Sequence, residues 1–230
     1  RPHGVYALHY TGQGEIRQIE AYYRLNRARN FEDFQAALAM QALPSLNYVY
    51  ADKTGRIAYF YNGVFPDRAP GWDWSSYLPG DSVEALWTRY LPFSSVPHLV
   101  APACGFVASS NHSPFRVTDA SCNLDPAGFP KQMGVDQFMT NRGLRAVELL
   151  SADSSITRNE LLAIKFDRSY SPESELAKLV TEILALDLSG DAELAEAQAL
   201  LRGWDLRLDV DNRAAALAVL TAYPTLAPVI

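Results

Sequence analysis

The sequence predicts an α+β protein, with sheet-bearing structure over residues 1–140 and a helical region over residues 141–230. Three observations lead there. Two aromatic and β-branched runs flank a four-residue connection that ends in glycine, the signature of a hairpin. A second apolar run at 105–110 ends in Asn111-His-Ser-Pro114 and reads as a buried strand emerging into a loop. Past Asn141 the pattern changes to capped segments of helical period.

The elements follow in order along the chain. Residues 5–10 (Val5-Tyr-Ala-Leu-His-Tyr10) alternate as a strand does, and Gly12 and Gly14 end them. Residues 18–43 are helical in tone: Ile19, Tyr22, Tyr23, Leu25 and Ala28 form one apolar stripe. Asn30 is placed to cap a second helix over 31–42, with Glu32 and Asp33 in its first turn and Pro44 as its stop. The hairpin comprises strands 47–51 and 56–61 around Asp52-Lys-Thr-Gly55. Asn62-Gly63 permits a further turn before Val64-Phe-Pro-Asp-Arg68. Residues 69–93, rich in Trp, Pro and Gly, read as a long packed surface loop holding Trp72, Trp74 and Trp87. In the helical region a first helix covers 142–150. Thr157-Arg-Asn-Glu160 forms a capping box opening 161–166. Ser171-Pro172 starts a helix running to about 186, with proline at its first position. Segments 192–204 and 212–222 complete the set.

Composition narrows the class. Hydrophobic residues make up 48% and aromatics 11% of the 230 residues, which is a globular balance. Net charge is −6 with no basic block, which argues against nucleic acid or an anionic membrane surface as partner. No apolar run approaches the ~20 residues of a membrane span. The chain opens on Arg1-Pro-His-Gly4 and closes on the apolar Ala222-Tyr-Pro-Thr-Leu-Ala-Pro-Val-Ile230. Native termini are usually polar and solvated, so both ends are expected to be cuts in a longer polypeptide.

Several chemistries are weak on the residues alone. The histidines (His3, His9, His98, His112) are scattered without the i, i+4 spacing of a helix-borne zinc site. Asp205, Asp209 and Asp211 lack the glycine and closing glutamate of a calcium loop. Thr11-Gly-Gln-Gly14 lacks the third glycine of a phosphate loop and reads as a plain turn. Ser110 or Ser113, His112 and Asp119 can be assembled into a triad on paper. However, no Gly-x-Ser-x-Gly elbow is present, and adjacent strand residues point to opposite faces. His112 is therefore read as a loop residue beside a site, a substrate contact rather than a base. Asn111 has two readings: a turn former bonding its own backbone, or a strand-end donor aimed at a ligand atom. Cys104 and Cys122 flank it. In a reducing cytosol they are ordinary small residues, and in an exported protein they can close a loop worth about 3 kcal/mol.

The ordered motifs decide among these. Asn47-Tyr-Val-Tyr-Ala-Asp52, Gly55-Arg-Ile-Ala-Tyr59 and Gly63-Val-Phe-Pro-Asp-Arg68 resemble the sheet hairpin of the penicillin acylase (penicillin amidase) family of N-terminal nucleophile hydrolases. Leu91-Pro-Phe93 and Gly105-Phe-Val107 continue the match into the family's Asn-x-Asn-x-x-Pro, where Ser109 replaces the first asparagine. Thr140-Asn-Arg142-Gly-Leu-Arg145 through Leu150 resembles the arginine helix that follows. Ile164-Lys-Phe-Asp167 and Gly203-Trp-Asp205 recur in the family's helical region. The long connection from Asn111 to Arg142 and the wording around Arg142 are nearest the acyl-homoserine-lactone and aculeacin acylase branch.

The resemblance implies that the chain is a fragment of the β-chain, contributing part of an αββα sandwich followed by a helical region. It implies an amide hydrolase acting through an acyl-enzyme, matured from a precursor and located in the periplasm or outside. Asn111 is then the oxyanion-hole donor, Arg142 supports the site through charge-assisted hydrogen bonds, and Arg68 is structural. Cys104 and Cys122 then pair. No residue here can be the N-terminal nucleophile, so the partners implied are the α-chain, the N-terminal part of the β-chain and an N-acyl small molecule, and the isolated chain is expected to be inactive. No cofactor is implied; the family admits a structural calcium, which no residue here is assigned to hold. The alternative is an exported, non-catalytic binding domain that grips ligands with the Trp-rich loop.

Overall fold

The computed structural model describes residues 4–226, and the terminal residues 1–3 and 227–230, with His3 among them, lie outside the described residues. The chain divides into two compact units, Arg1–Phe138 and Met139–Ile230. Helices and a small antiparallel sheet make it α+β, as the sequence predicts.

In the first unit, α1 (Gln18–Arg27) and α2 (Phe31–Ala39) precede the hairpin strands β1 (Leu46–Ala51) and β2 (Ile57–Asn62). Asn30 caps α2, accepting from the Asp33 N–H at 2.7 Å. The hairpin turns through Gly55 at φ +87°, a conformation that costs glycine nothing. The Asp52 carboxylate knits this turn, accepting from the Thr54 hydroxyl and backbone N–H and from the Arg56 N–H; these bonds, Thr54's foremost, hold its pKa down to about 2. Register pairs Asn47 with Tyr61, Val49 with Tyr59 and Tyr48 with Phe60. Cross-strand partners share a face, so the two faces differ in role. Ala58, Phe60, Tyr48 and Tyr50 pack with Ala21, Phe31, Leu38 and Leu43 from the helical side. Asn47, Val49, Tyr59 and Tyr61 occupy the other face. A smaller core of Phe65, Val96 and Met133 lies under the connections.

Several expected elements differ. Residues 5–10 form no strand. Val5 and Leu8 are 88% and 84% exposed, while His9 stacks on Trp87 at 3.7 Å. Alternation permits an extended chain, but a ladder needs a neighbouring backbone. In α1 the buried residue is Ala21, with Tyr22 and Leu25 beside it, whereas Ile19 and Tyr23 face solvent. The second helix stops at Ala39, because Gln41 turns left-handed before Pro44 is reached. Residues 105–110 are not a strand either. The third strand is β3 (His98–Val100), antiparallel to β2.

The second unit holds α3 (Asn141–Ser151), α4 (Arg158–Lys165), α5 (Glu175–Leu184), α6 (Ala192–Arg202) and α7 (Arg213–Leu226). Thr157 and Glu160 make the expected capping box. Helix α5 begins later than expected: Ser174 caps it, and Pro172 stands outside. Leu176, Val180, Leu201, Trp204 and a run of alanines from α7 form the core of α5, α6 and α7. The small alanines of α7 allow close approach, and the Trp204 indole N–H is satisfied by the Arg207 carbonyl at 3.1 Å. Among the described residues no helix is long and apolar enough to cross a membrane.

Candidate active site

The loop carrying Asn111 is tied at many points. Cys104 and Cys122 are joined by a disulfide, Cα atoms 6.1 Å apart. Within that ring the Ala108 N–H donates to Val117 O at 2.7 Å, and the Thr118 hydroxyl donates to Phe106 O at 2.7 Å. Asn123 accepts from the N–H groups of Val117 and Thr118 and donates to the carbonyls of Thr118 and Asp119. The backbone of 105–110 is therefore engaged by its own loop rather than by a sheet neighbour, which is why the apolar run does not read out as a strand.

His112 lies at the centre, only 2% exposed. Its Nδ1 accepts from the Ser110 N–H at 3.1 Å, which leaves the proton on Nε2 to donate to Arg116 O at 3.0 Å. The ring thus clamps both sides of the turn. Ser113 is buried, its hydroxyl accepting from the Phe115 N–H, and its own N–H donates to Phe138 O at 2.9 Å. Phe138 N–H is in turn held by Asp136 Oδ1 at 2.9 Å. Asp119 accepts from the N–H and hydroxyl of Ser121. The paper triad of Ser110 or Ser113, His112 and Asp119 is not assembled by these bonds.

Asn111 sits between the clamped residues in the left-handed region, φ +58°, and its side chain is exposed. Asparagine is among the few residues with a side chain that adopt this conformation readily. It is not at a strand end, as the apolar run suggests, but at the apex of a hydrogen-bonded turn. It lines a cleft of about 200 Å³ with Ser45, Leu46, Asn47, Tyr61, His112 and Asp136. Asn47 Nδ2 donates to Ser109 Oγ at 3.1 Å, linking the hairpin to the loop. Burial raises the Tyr61 phenol above its ordinary range, so it stands in the cleft as a neutral hydroxyl.

Arg142 belongs to the other unit, where it is the second residue of α3 and exposed. Thr140 caps that helix, accepting from the Gly143 N–H at 3.0 Å. A network one turn on is centred on Arg145. Its Nε and Nη2 grip both oxygens of Asp167, at 2.9 and 3.2 Å, and Nη1 reaches Glu148 at 2.9 Å. Glu148 in turn accepts from the Ser171 hydroxyl, and Asn141 bridges the Ser169 carbonyl and the Ser171 N–H. The Arg145 guanidinium holds the Asp167 carboxyl below the usual range. Arg145 and Asp167 both stand in the resemblance motifs, yet nothing in their spacing identifies them as partners.

Two tryptophans of the Trp-rich loop spend ring faces internally. Trp87 is buried against His9 and Tyr90, and Trp74 lies under the Arg68 guanidinium while its N–H bonds Ala69 O. Arg68 also donates to Gln132 O. Asp205 and Asp209 are taken up by Arg207, Arg168 and Asn212. Among the described residues no group of three or more His, Cys, Asp or Glu is placed to hold a metal ion.

Comparison with known proteins agrees with this frame. The family model for penicillin amidase matches residues 1–228. Penicillin G acylase of Escherichia coli is 34% identical over 107 residues, 46% of this chain and 12% of the relative. Penicillin acylase 2 proenzyme of Pseudomonas sp. strain SE83 is 27% identical over 74% of this chain and 20% of its own length. An acyl-homoserine lactone acylase of Pseudomonas fluorescens strain Pf0-1 is 25% identical over 75% and 20%. The structure of a thermostable penicillin G acylase from Alcaligenes faecalis superposes with a TM-score of 0.61 at 19% identity, covering 87% of this chain and 34% of that one. The chain thus spans 12% to 20% of the length of the curated relatives it matches. Taken over nearly its whole length, the chain belongs to the penicillin amidase family.

Proposed function

We propose that this chain is the part of an exported N-acyl amide hydrolase that supplies its oxyanion-hole side chain, Asn111. The nucleophile comes from another part of the same precursor, at a newly exposed N-terminus whose amine is the general base. It attacks the substrate carbonyl, the Asn111 N–H takes the developing oxyanion, the amine leaves, and water releases the acid. The carrying observation is the placement of Asn111: an exposed amide at the apex of a turn clamped by a buried histidine, on the lip of a cleft. A donor carried on a backbone fixed this way starts near its working position, and preorganised donors are where oxyanion holes gain their effect.

His112 serves this role by fixing the turn, since both ring nitrogens are already engaged. Arg142 supports the site as a cation. The disulfide fits an oxidising compartment, the periplasm or outside. On this reading the chain alone is inactive and works with the α-chain and the N-terminal part of the β-chain.

The test uses the matured product of the full-length precursor on long-chain acyl-homoserine lactones, phenylacetyl amides and penicillin, beside Asn111→Gly. Glycine keeps the left-handed turn and removes only the donor. Hydrolysis by the native enzyme with a fall of about 100-fold or more in kcat for the variant is expected. A variant at the native rate would return Asn111 to turn former, and a native enzyme inert on every amide would remove the hydrolase reading.

A further inference from the structure

We propose that Asn47 is a positioning residue for Asn111, acting through Ser109; this rests on the oxyanion reading given above. The two His112 ring bonds tie residues 110–116 to one another, and the Ser113 N–H ties them to Phe138 O. A turn can be rigid internally and still shift as a body, and a shift of about 1 Å at a reacting centre can cost on the order of 100-fold. The Asn47–Ser109 hydrogen bond acts against that shift. It spans 62 positions of sequence and ends two residues before Asn111. Its other end is on β1, whose backbone is paired along its length with β2 and whose opposite face carries the aromatic core under α1 and α2.

The residue type supports this assignment. Asparagine is disfavoured within strands, where Val, Ile or aromatic residues pack better. Asn47 breaks the run Leu46-Asn-Tyr-Val-Tyr-Ala51 on the face turned away from the helices, beside its cross-strand partner Tyr61. Asn47, Tyr61 and Asn111 line the same cleft. A residue costly to the strand stands where its amide reaches the loop that carries the donor.

The experiment compares Asn47→Ala, Ser109→Ala and Ser109→Thr in the matured full-length enzyme, with maturation checked for each and each measured with and without Asn111→Gly. Loss of the bond from either side is expected to lower kcat roughly tenfold with KM within about twofold, and Ser109→Thr, which keeps the hydroxyl, to retain most of the rate. In the Asn111→Gly background Asn47→Ala is expected to change nothing further, because the donor it places is gone. Native kcat in both alanine variants would overturn the proposal while leaving the oxyanion reading intact. A further tenfold loss in the Asn111→Gly background would overturn it too, since Asn47 would then act on something other than Asn111. A native rate for Asn111→Gly alone would take down both.

Discussion

Cutting the Cys104–Cys122 bond removes the covalent closure of the ring that contains Asn111. In the chain-entropy treatment, a closed loop of 18 positions restricts the open chain by about 3 kcal/mol at 25 °C. We take that as the ceiling on what local opening of residues 104–122 can gain, because the open segment stays joined to β3 on its N-terminal side. Converted at 1.4 kcal/mol per decade, it sets a ceiling of roughly 150-fold on the rise in amide exchange through local opening. The assay is hydrogen exchange with mass spectrometry on the full-length matured enzyme, native against Cys104→Ala/Cys122→Ala. The reporting amides are Ala108, bonded to Val117 O across the ring, and Val117 and Thr118, bonded to the Asn123 side chain just beyond it, with Tyr48 and Phe60 in the hairpin as internal controls. We expect acceleration of between tenfold and the ceiling in the ring, and little in the hairpin. Unchanged exchange in the ring would show that the side-chain bonds of His112 and Asn123 hold it unaided. Equal acceleration in the hairpin would show that the disulfide stabilises the whole unit, and either result refutes the reasoning.

Two further outcomes follow from the local chemistry. Asp167→Asn loses the two-pronged grip of Arg145, in a pair whose side chains are only 17% and 21% exposed, and is expected to destabilise α3 and its surroundings by about 1.5–3 kcal/mol, read as exchange of the α3 amides. Arg145 lowers the Asp167 pKa in the folded state, so the stabilisation is present above the ordinary carboxylate value of about 3.9 and is lost as pH falls through the lower folded value; the Asn variant should show a flatter acid limb. Gly55→Ala meets no heavy atom within 4 Å, so its cost is conformational alone: about 1–2 kcal/mol from φ +87°, largely recovered by Gly55→Asn, measured by exchange of the hairpin amides. A loss much larger than this would mean that the turn has neighbours the geometry lacks.

What was legible in the sequence is what neighbours in sequence decide. The hairpin and the Asn30 and Thr157 caps rest on contacts between near neighbours in the chain, so spacing and residue type suffice. The family was legible for a related reason, because ordered motifs survive where single residues say little. Tertiary structure alone decided whether an extended stretch finds a backbone to pair with. Residues 5–10 and 105–110 carry strand-like patterns and join no strand, whereas the three residues of β3 find β2. It also decided the long-range partners. Arg145 meets Asp167 and Asn47 meets Ser109 across 22 and 62 positions. Asn111 is shared between the two levels. Its residue type announces a tolerance for the left-handed turn, while the clamp of His112, the anchor on Asn47 and the cleft it borders exist only once the hairpin and the loop are brought together, because such contacts depend on proximity in space and leave no period in the chain.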